Sequence, residues 1–117
     1  MRHQRHRRTL GRIPDQRKAL LRSLAREFFV RGKIQTTVTR AKATSQLVEK
    51  LITLAKRGDL TAHRKAVELL PDRTVIAPIF RDATARFGDR ECGFTRVTRI
   101  GLRRGDAADL AMLEFVS

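Results

Sequence analysis

Arginine is the residue type that dominates the chemistry this chain could do. Twenty-six Lys and Arg stand against twelve Asp and Glu, for a formal charge of +14 and a pI near 11.6, far beyond what solubility asks of a small domain. Twenty of the basic residues are Arg, whose planar fork holds a phosphate through two hydrogen bonds and stacks on an unpaired base, whereas Lys acts as a point charge. The partner this implies is a polyanion, and folded RNA before a generic anionic surface. The basic residues also cluster. Arg2, Arg5, Arg7, Arg8 and Arg12 share the acid-free opening MRHQRHRRTLGR with His3 and His6. Arg17 and Lys18 follow, and Lys18, Arg22 and Arg26 repeat at helical spacing. Arg96, Arg99, Arg103 and Arg104 crowd the C-terminal part, and Lys42 lies between. These sixteen residues are the candidate phosphate contacts.

Other chemistry lacks its residues. His3, His6 and His63 are the only histidines; the first two fall in a segment without periodicity, where no general base would be held within reach of a substrate proton. His3, His6 and Cys92 suggest zinc, but the short Cys-x-x-Cys pairing of structural sites is missing and the intervening arginines would repel a cation. Acids stand at expected helix starts, as Asp15 and Asp72 do, or beside Arg, as with Asp89 and Arg90. No Walker or dinucleotide glycine loop occurs, and the Gly101 to Gly105 spacing is too common to count. No enzyme activity, metal or cofactor is expected.

The elements that must position the basic groups follow from periodicity. A chain of 117 residues supports one core, and with six Phe and no Trp or Tyr that core should be mostly aliphatic. Residues 1–14 read as an extended Arg-rich tail, disordered when free, and residues 15–117 as a single domain. Asp15 is the expected cap of a helix from Gln16 to Arg31, stopped by Gly32. Leu20, Leu21, Leu24 and Phe28 form its core face, opposite Lys18, Arg22 and Arg26. Lys33 to Val38 is β-branched at four of six positions and reads as a strand. Thr39 should cap a second helix, Arg40 to Arg57, with Leu47, Val48, Leu51, Ile52, Leu54 and Ala55 inward and Lys42, Glu49, Lys50 and Lys56 outward. A shorter helix from Thr61 to Leu70 and another from Asp72 to about Ala85 follow, the latter with Pro78 inside it, where a kink or late start is expected. Phe94 to Ile100 and Leu110 to Val116 close the chain as two strands of a long hairpin with a charged tip.

The order α-β-α-α-α-β-β implies an α+β fold, a small three-stranded mixed sheet in two layers with about four helices. No run reaches the ~18 apolar residues of a membrane span, and the narrow Leu-rich face of the first helix suits a protein interior better than a bilayer. The single Cys92 fits a reducing compartment. The tail lacks a secretory apolar run; it shares Arg richness with mitochondrial transit peptides but has one Thr, no Ser and almost no apolar face.

Several stretches carry a resemblance. MRH at the start, LGR at Leu10 to Arg12, RKALLRSLA at Arg17 to Ala25, IQTTVTRAK at Ile34 to Lys42 and LITLAKRGDL at Leu51 to Leu60 occur in order. GFTRV at Gly93 to Val97, RRGDAA at Arg103 to Ala108 and LEFV at Leu113 to Val116 complete them. Together they make the chain resemble the bacterial large-subunit ribosomal protein number seventeen family over essentially its whole length. The resemblance implies a non-catalytic protein embedded in large-subunit rRNA near the peptide exit tunnel, in contact with ribosomal proteins number thirty-two and number twenty-two. The compact, bacterial-like length favours a bacterial ribosome in the cytoplasm over an organellar one. Pro14-Asp15-Gln16 stands where the family usually has Ser-Ser-His, Cys92-Gly93-Phe94 where it usually has Gly-Gly-Tyr, and Asp109 where a proline is common. The competing reading of the residues alone is a free RNA- or DNA-binding regulator, against which the absence of a helix-turn-helix, zinc-finger or aromatic stacking signature counts.

Overall fold

The computed structural model describes residues 10, 13–88 and 90–116. Four helices and three strands follow in the order α1 (Pro14–Arg31), β1 (Lys33–Thr37), α2 (Val38–Arg57), α3 (Leu60–Leu69), α4 (Arg73–Phe87), β2 (Thr95–Leu102) and β3 (Asp109–Phe115). The α+β class and element order are those the sequence implies.

Helix boundaries follow local chemistry. Pro14 opens α1 behind Ile13 as N-cap, because a proline has no N–H to leave unsatisfied and its fixed φ suits the first turn. Asp15, expected as the cap, therefore sits inside the first turn. Gly32 and Gly58 end α1 and α2 in the left-handed region, at φ 83° and 70°, where a side chain would be strained. The cap of α2 is Thr37 rather than Thr39, and its side chain makes no capping bond, so Val38 leaves the strand and joins the helix. Asp59 caps α3 by accepting from the Ala62 amide at 2.7 Å, which starts that helix one residue earlier than the periodicity suggests. Asp72 caps α4 as expected, accepting from the Thr74 amide. That helix starts at Arg73 and runs through Pro78, without a late start.

The sheet has the order β1-β3-β2. Both pairings are antiparallel, so the expected mixed sheet is corrected to an antiparallel one. The physical reason is that the last strand of the hairpin inserts at the centre: β1 and β2 each run against β3 and never meet. Ile34, Leu113 and Val97 lie across from one another in register, as do Lys33, Glu114 and Arg96. Alternation along each strand then sends the first row towards the helices and the second towards solvent.

Helix α2 is the centre of the core. Val38, Ala41, Val48, Leu51, Ile52 and Ala55 are buried along it, with Ala25 and Phe28 of α1, Val75, Ile76, Ile79 and Ala83 of α4, and Ala111 and Leu113 of β3 around it. The core is more aromatic than composition suggests, because five of the six phenylalanines gather. Phe28 and Phe115 have ring centroids 4.5 Å apart, and Phe87 meets both Phe94 and Phe115 at 5.5 Å. Phe29 completes the group. His63 packs edge-on against the remaining Phe80 at 5.0 Å, which gives it a packing role. The leucines of α1 are displaced from their expected place. Ala25 and Phe28 are fully buried, whereas Leu20, Leu21 and Leu24 remain half-exposed.

Truncating Phe28 to Ala removes the ring that joins α1 to the sheet. It should destabilise the domain by about 3–5 kcal/mol, read as a lowered urea midpoint with an unchanged m-value.

Candidate nucleic-acid interface

The first basic constellation lies where β1 turns into α2. Thr37, Val38, Thr39, Lys42, Arg99, Ala108 and Asp109 line a notch of about 440 Å³. Its floor is the start of a twenty-residue helix, whose first amides carry the positive end of the helix dipole and have no acceptor from the cap side chain. Lys42 stands one turn into α2. Arg99 reaches the same place from β2, because its register partner is the buried Ala111 on the helix side of the sheet. A register shift follows between Arg99 and Gly101, after which pairing with β3 resumes. Lys42 and Arg99 are exposed, and among the described residues neither forms a salt bridge. Two cations from distant parts of the chain thus converge on a helix start, with Asp109 the one carboxylate on the rim. That arrangement is suited to a phosphate.

The helical row of α1 is not uniform. Lys18 is exposed. Arg22 Nε donates to the Leu69 carbonyl at 3.2 Å and Nη2 to the Glu68 carbonyl at 3.1 Å, so its guanidinium ties α1 to the end of α3. Arg26 Nε lies 2.7 Å from Asp72 Oδ2, joining α1 to the α3–α4 corner. Asp72 also accepts from Thr74, and these bonds, first to Thr74 and then to Arg26, hold its carboxyl below the usual range. Arg17 is half-buried beside Lys18. Of the expected phosphate row, two members are engaged inside the protein.

The hairpin tip is closed by a clamp. Arg103 Nε donates to Asp106 Oδ1 at 3.0 Å and its Nη2 meets Oδ2. The same carboxylate accepts from the Ala108 amide at 3.2 Å, and Ala107 is held at φ 56°, a conformation that disfavours a side chain. The Arg103 hydrogen bond and the Ala108 amide lower the Asp106 pKa from 3.8 to about 2. Arg104, next to the clamp, is exposed and forms no salt bridge among the described residues. Arg96 is paired across the strands with Glu114 at 3.1 Å. The tail candidates Arg2, His3, Arg5, His6, Arg7, Arg8 and Arg12 lie outside the described residues.

Residues 20–116 match the family described as ribosomal protein L17. The chain belongs to that family. The large ribosomal subunit protein bL17 of Clostridium acetobutylicum is 49% identical over 109 residues, spanning 93% of this chain and 96% of the relative. The bL17 proteins of Clostridium botulinum strain Hall and Clostridium perfringens strain SM101 are each 48% identical with the same coverage.

In this L17-family chain one positioning residue escaped the sequence pattern. Glu49, expected on the outward face of α2, accepts from the amides of Phe94 and Thr95 at 3.2 and 2.9 Å and from the Thr95 hydroxyl at 2.8 Å. Ser45 Oγ meets that hydroxyl at 2.8 Å. The carboxylate therefore pins the start of β2 to α2, which sets where Arg99 arrives at the notch. Nothing local signals this, since the partners are 45 and 46 residues apart.

Two outcomes follow. Glu49→Ala should cost about 1–3 kcal/mol by leaving partly buried donors without an acceptor, and should broaden the NMR amide signals of Thr95 to Arg99. For the tip, the depressed pKa of Asp106 means its clamp is complete above the ordinary pKa of 3.8 and is lost as pH falls through about 2. Ala108 amide exchange should stay protected at pH 4 and lose protection near pH 2, and Asp106→Ala should already lack it at pH 4.

Proposed function

We propose that the chain is a structural component of the large ribosomal subunit, not an enzyme, and that it holds subunit rRNA through three basic regions of its surface. The family supplies the first part: relatives 48–49% identical are named as large ribosomal subunit proteins, and the family is structural. The notch at the start of α2 carries the second. Lys42 and Arg99 line it beside a helix start and form no salt bridge among the described residues, a combination that a phosphate satisfies. Lys18 with Arg17 on α1, and Arg104 at the hairpin tip, are the other two regions of the domain.

The Arg-rich tail expected over residues 1–14, whose last residue Pro14 already opens α1, adds a further contact by ordering in rRNA, and residues 15–117 are the single domain that carries it. Arg96 and Arg103 serve the surface indirectly, through their pairs with Glu114 and Asp106, and would engage phosphate by exchanging those carboxylates. Other ribosomal proteins adjoin the chain, with numbers thirty-two and twenty-two the proposed neighbours. The setting is the cytoplasmic ribosome of a bacterium, in keeping with the Clostridium relatives.

The test is twofold. The chain should co-sediment with large subunits at moderate salt; recovery in light fractions alone overturns the reading. In binding to deproteinised large-subunit rRNA, Lys42→Gln and Arg99→Gln should each weaken affinity and flatten the log K against log salt slope by about 0.7–0.9. An unchanged slope would remove the notch from the interface.

A further inference from the structure

One of the α1 leucines that the core leaves half-exposed, Leu21, opens onto a groove. Leu21 faces Leu47 of α2 and Leu69 of α3 across a space of about 310 Å³, whose other walls include Lys18, Arg22, Gln46, Lys50 and Glu68. Leu47 and Leu69 pack against the core from below, so the apolar floor is anchored. Lys18, Gln46 and Lys50 are exposed at the rim, and neither lysine has a carboxylate partner among the described residues.

Arg22 gives the groove its character. The Nε and Nη2 edge that would fork around a phosphate is already spent on the Leu69 and Glu68 carbonyls. Two of the five N–H donors of Arg22 are committed to those carbonyls, which holds the guanidinium in one plane, and a guanidinium face held in this way is a stacking platform for an unpaired base. A planar cation, an aliphatic floor, two free lysines and the amide of Gln46 at one opening match a nucleotide part by part: ring, sugar and base edge, and phosphate. The volume is at the lower end of small-ligand sites, about 300 Å³, the scale of a single residue and not of a docked helix. Net positive charge at the rim, where Glu68 is the one carboxylate among the described lining residues, also favours a polyanion over an acidic or neutral peptide.

We propose that this groove between α1, α2 and α3 receives one unstacked rRNA nucleotide, its base against the Arg22 plane and the leucine floor and its phosphate between Lys18 and Lys50. The proposal deepens the ribosomal reading and rests on it. It assigns Arg22 to base stacking in place of the phosphate contact that charge alone suggests.

The test uses the full chain in living cells, with Gln46→p-benzoylphenylalanine at the rim. Sedimentation first checks that the variant enters large subunits; failure of the unsubstituted chain to do so overturns the ribosomal reading itself. Irradiated subunits should then yield a cross-link to one unpaired rRNA nucleotide. Cross-links to a protein, to duplex RNA or to no RNA overturn the groove proposal while leaving ribosomal membership intact. A second variant, Arg22→Lys, keeps the charge and loses the plane. Its affinity for deproteinised large-subunit rRNA should fall about 5- to 150-fold, the range for losing one stacked base, with an unchanged salt slope and unchanged far-UV circular dichroism. Undiminished affinity, or a flatter slope showing a lost phosphate contact, overturns the proposal.

Discussion

Helix α2 is buried on so wide an arc that every other element must pack against it. Ala41, Val48 and Ile52 are inaccessible and Leu51 and Ala55 nearly so, a distribution that one neighbouring helix cannot cover. α1, α3 and α4 cover part of the arc and the antiparallel sheet covers the rest. The consequence for function is geometric. Because α2 is held between the other helices and the sheet, its start is a rigid platform, and Lys42 and the uncapped amides keep a constant relation to whatever the sheet brings beside them.

Polar contacts then fix what packing alone leaves free to slide. Glu49 locks the beginning of β2 to α2, and Arg22 and Arg26 lock α1 to the end of α3 and the α3–α4 corner. In a chain so rich in Arg, these engaged cations separate two tasks. Those facing backbone carbonyls or carboxylates align elements; those without such partners are left for an anionic partner. Three of the few acids, Glu49, Asp72 and Glu114, serve the first task, while among the described residues Lys42 and Arg99 at the notch, Lys18 and Lys50 at the α1 rim and Arg104 at the hairpin tip are exposed and form no salt bridge.

The sequence revealed most where the deciding physics is local. The Gly32 and Gly58 stops, the Asp72 cap and the 3.6-residue pattern of α2 were all legible, and with them the helix count and the strand order along the chain. Strand pairing was less so: nothing in the two C-terminal strands says that β3 lies at the centre, so the sheet read as mixed. The site was legible as charge but not as geometry. Lys42 and Arg99 could be named from the sequence, yet their meeting at one notch depends on a register and on the Glu49 contact across 45 residues. Arg22 looked identical to Lys18 on a helical wheel, and only the approach of the α3 carbonyls distinguishes them. The half-exposed leucines of α1 arise in the same way: Ala25 and Phe28 are the residues of α1 that become fully buried, and Leu21 is left lining the groove.

The central claim is that α2 organises one rigid, RNA-facing surface from basic groups distant in sequence. A density map of the intact large subunit containing this chain tests it most directly. The account predicts rRNA phosphate within hydrogen-bonding distance of Lys42 and Arg99 at the start of α2, with the helix and sheet arrangement unchanged. A notch facing solvent, or one occupied by a protein neighbour, would contradict it.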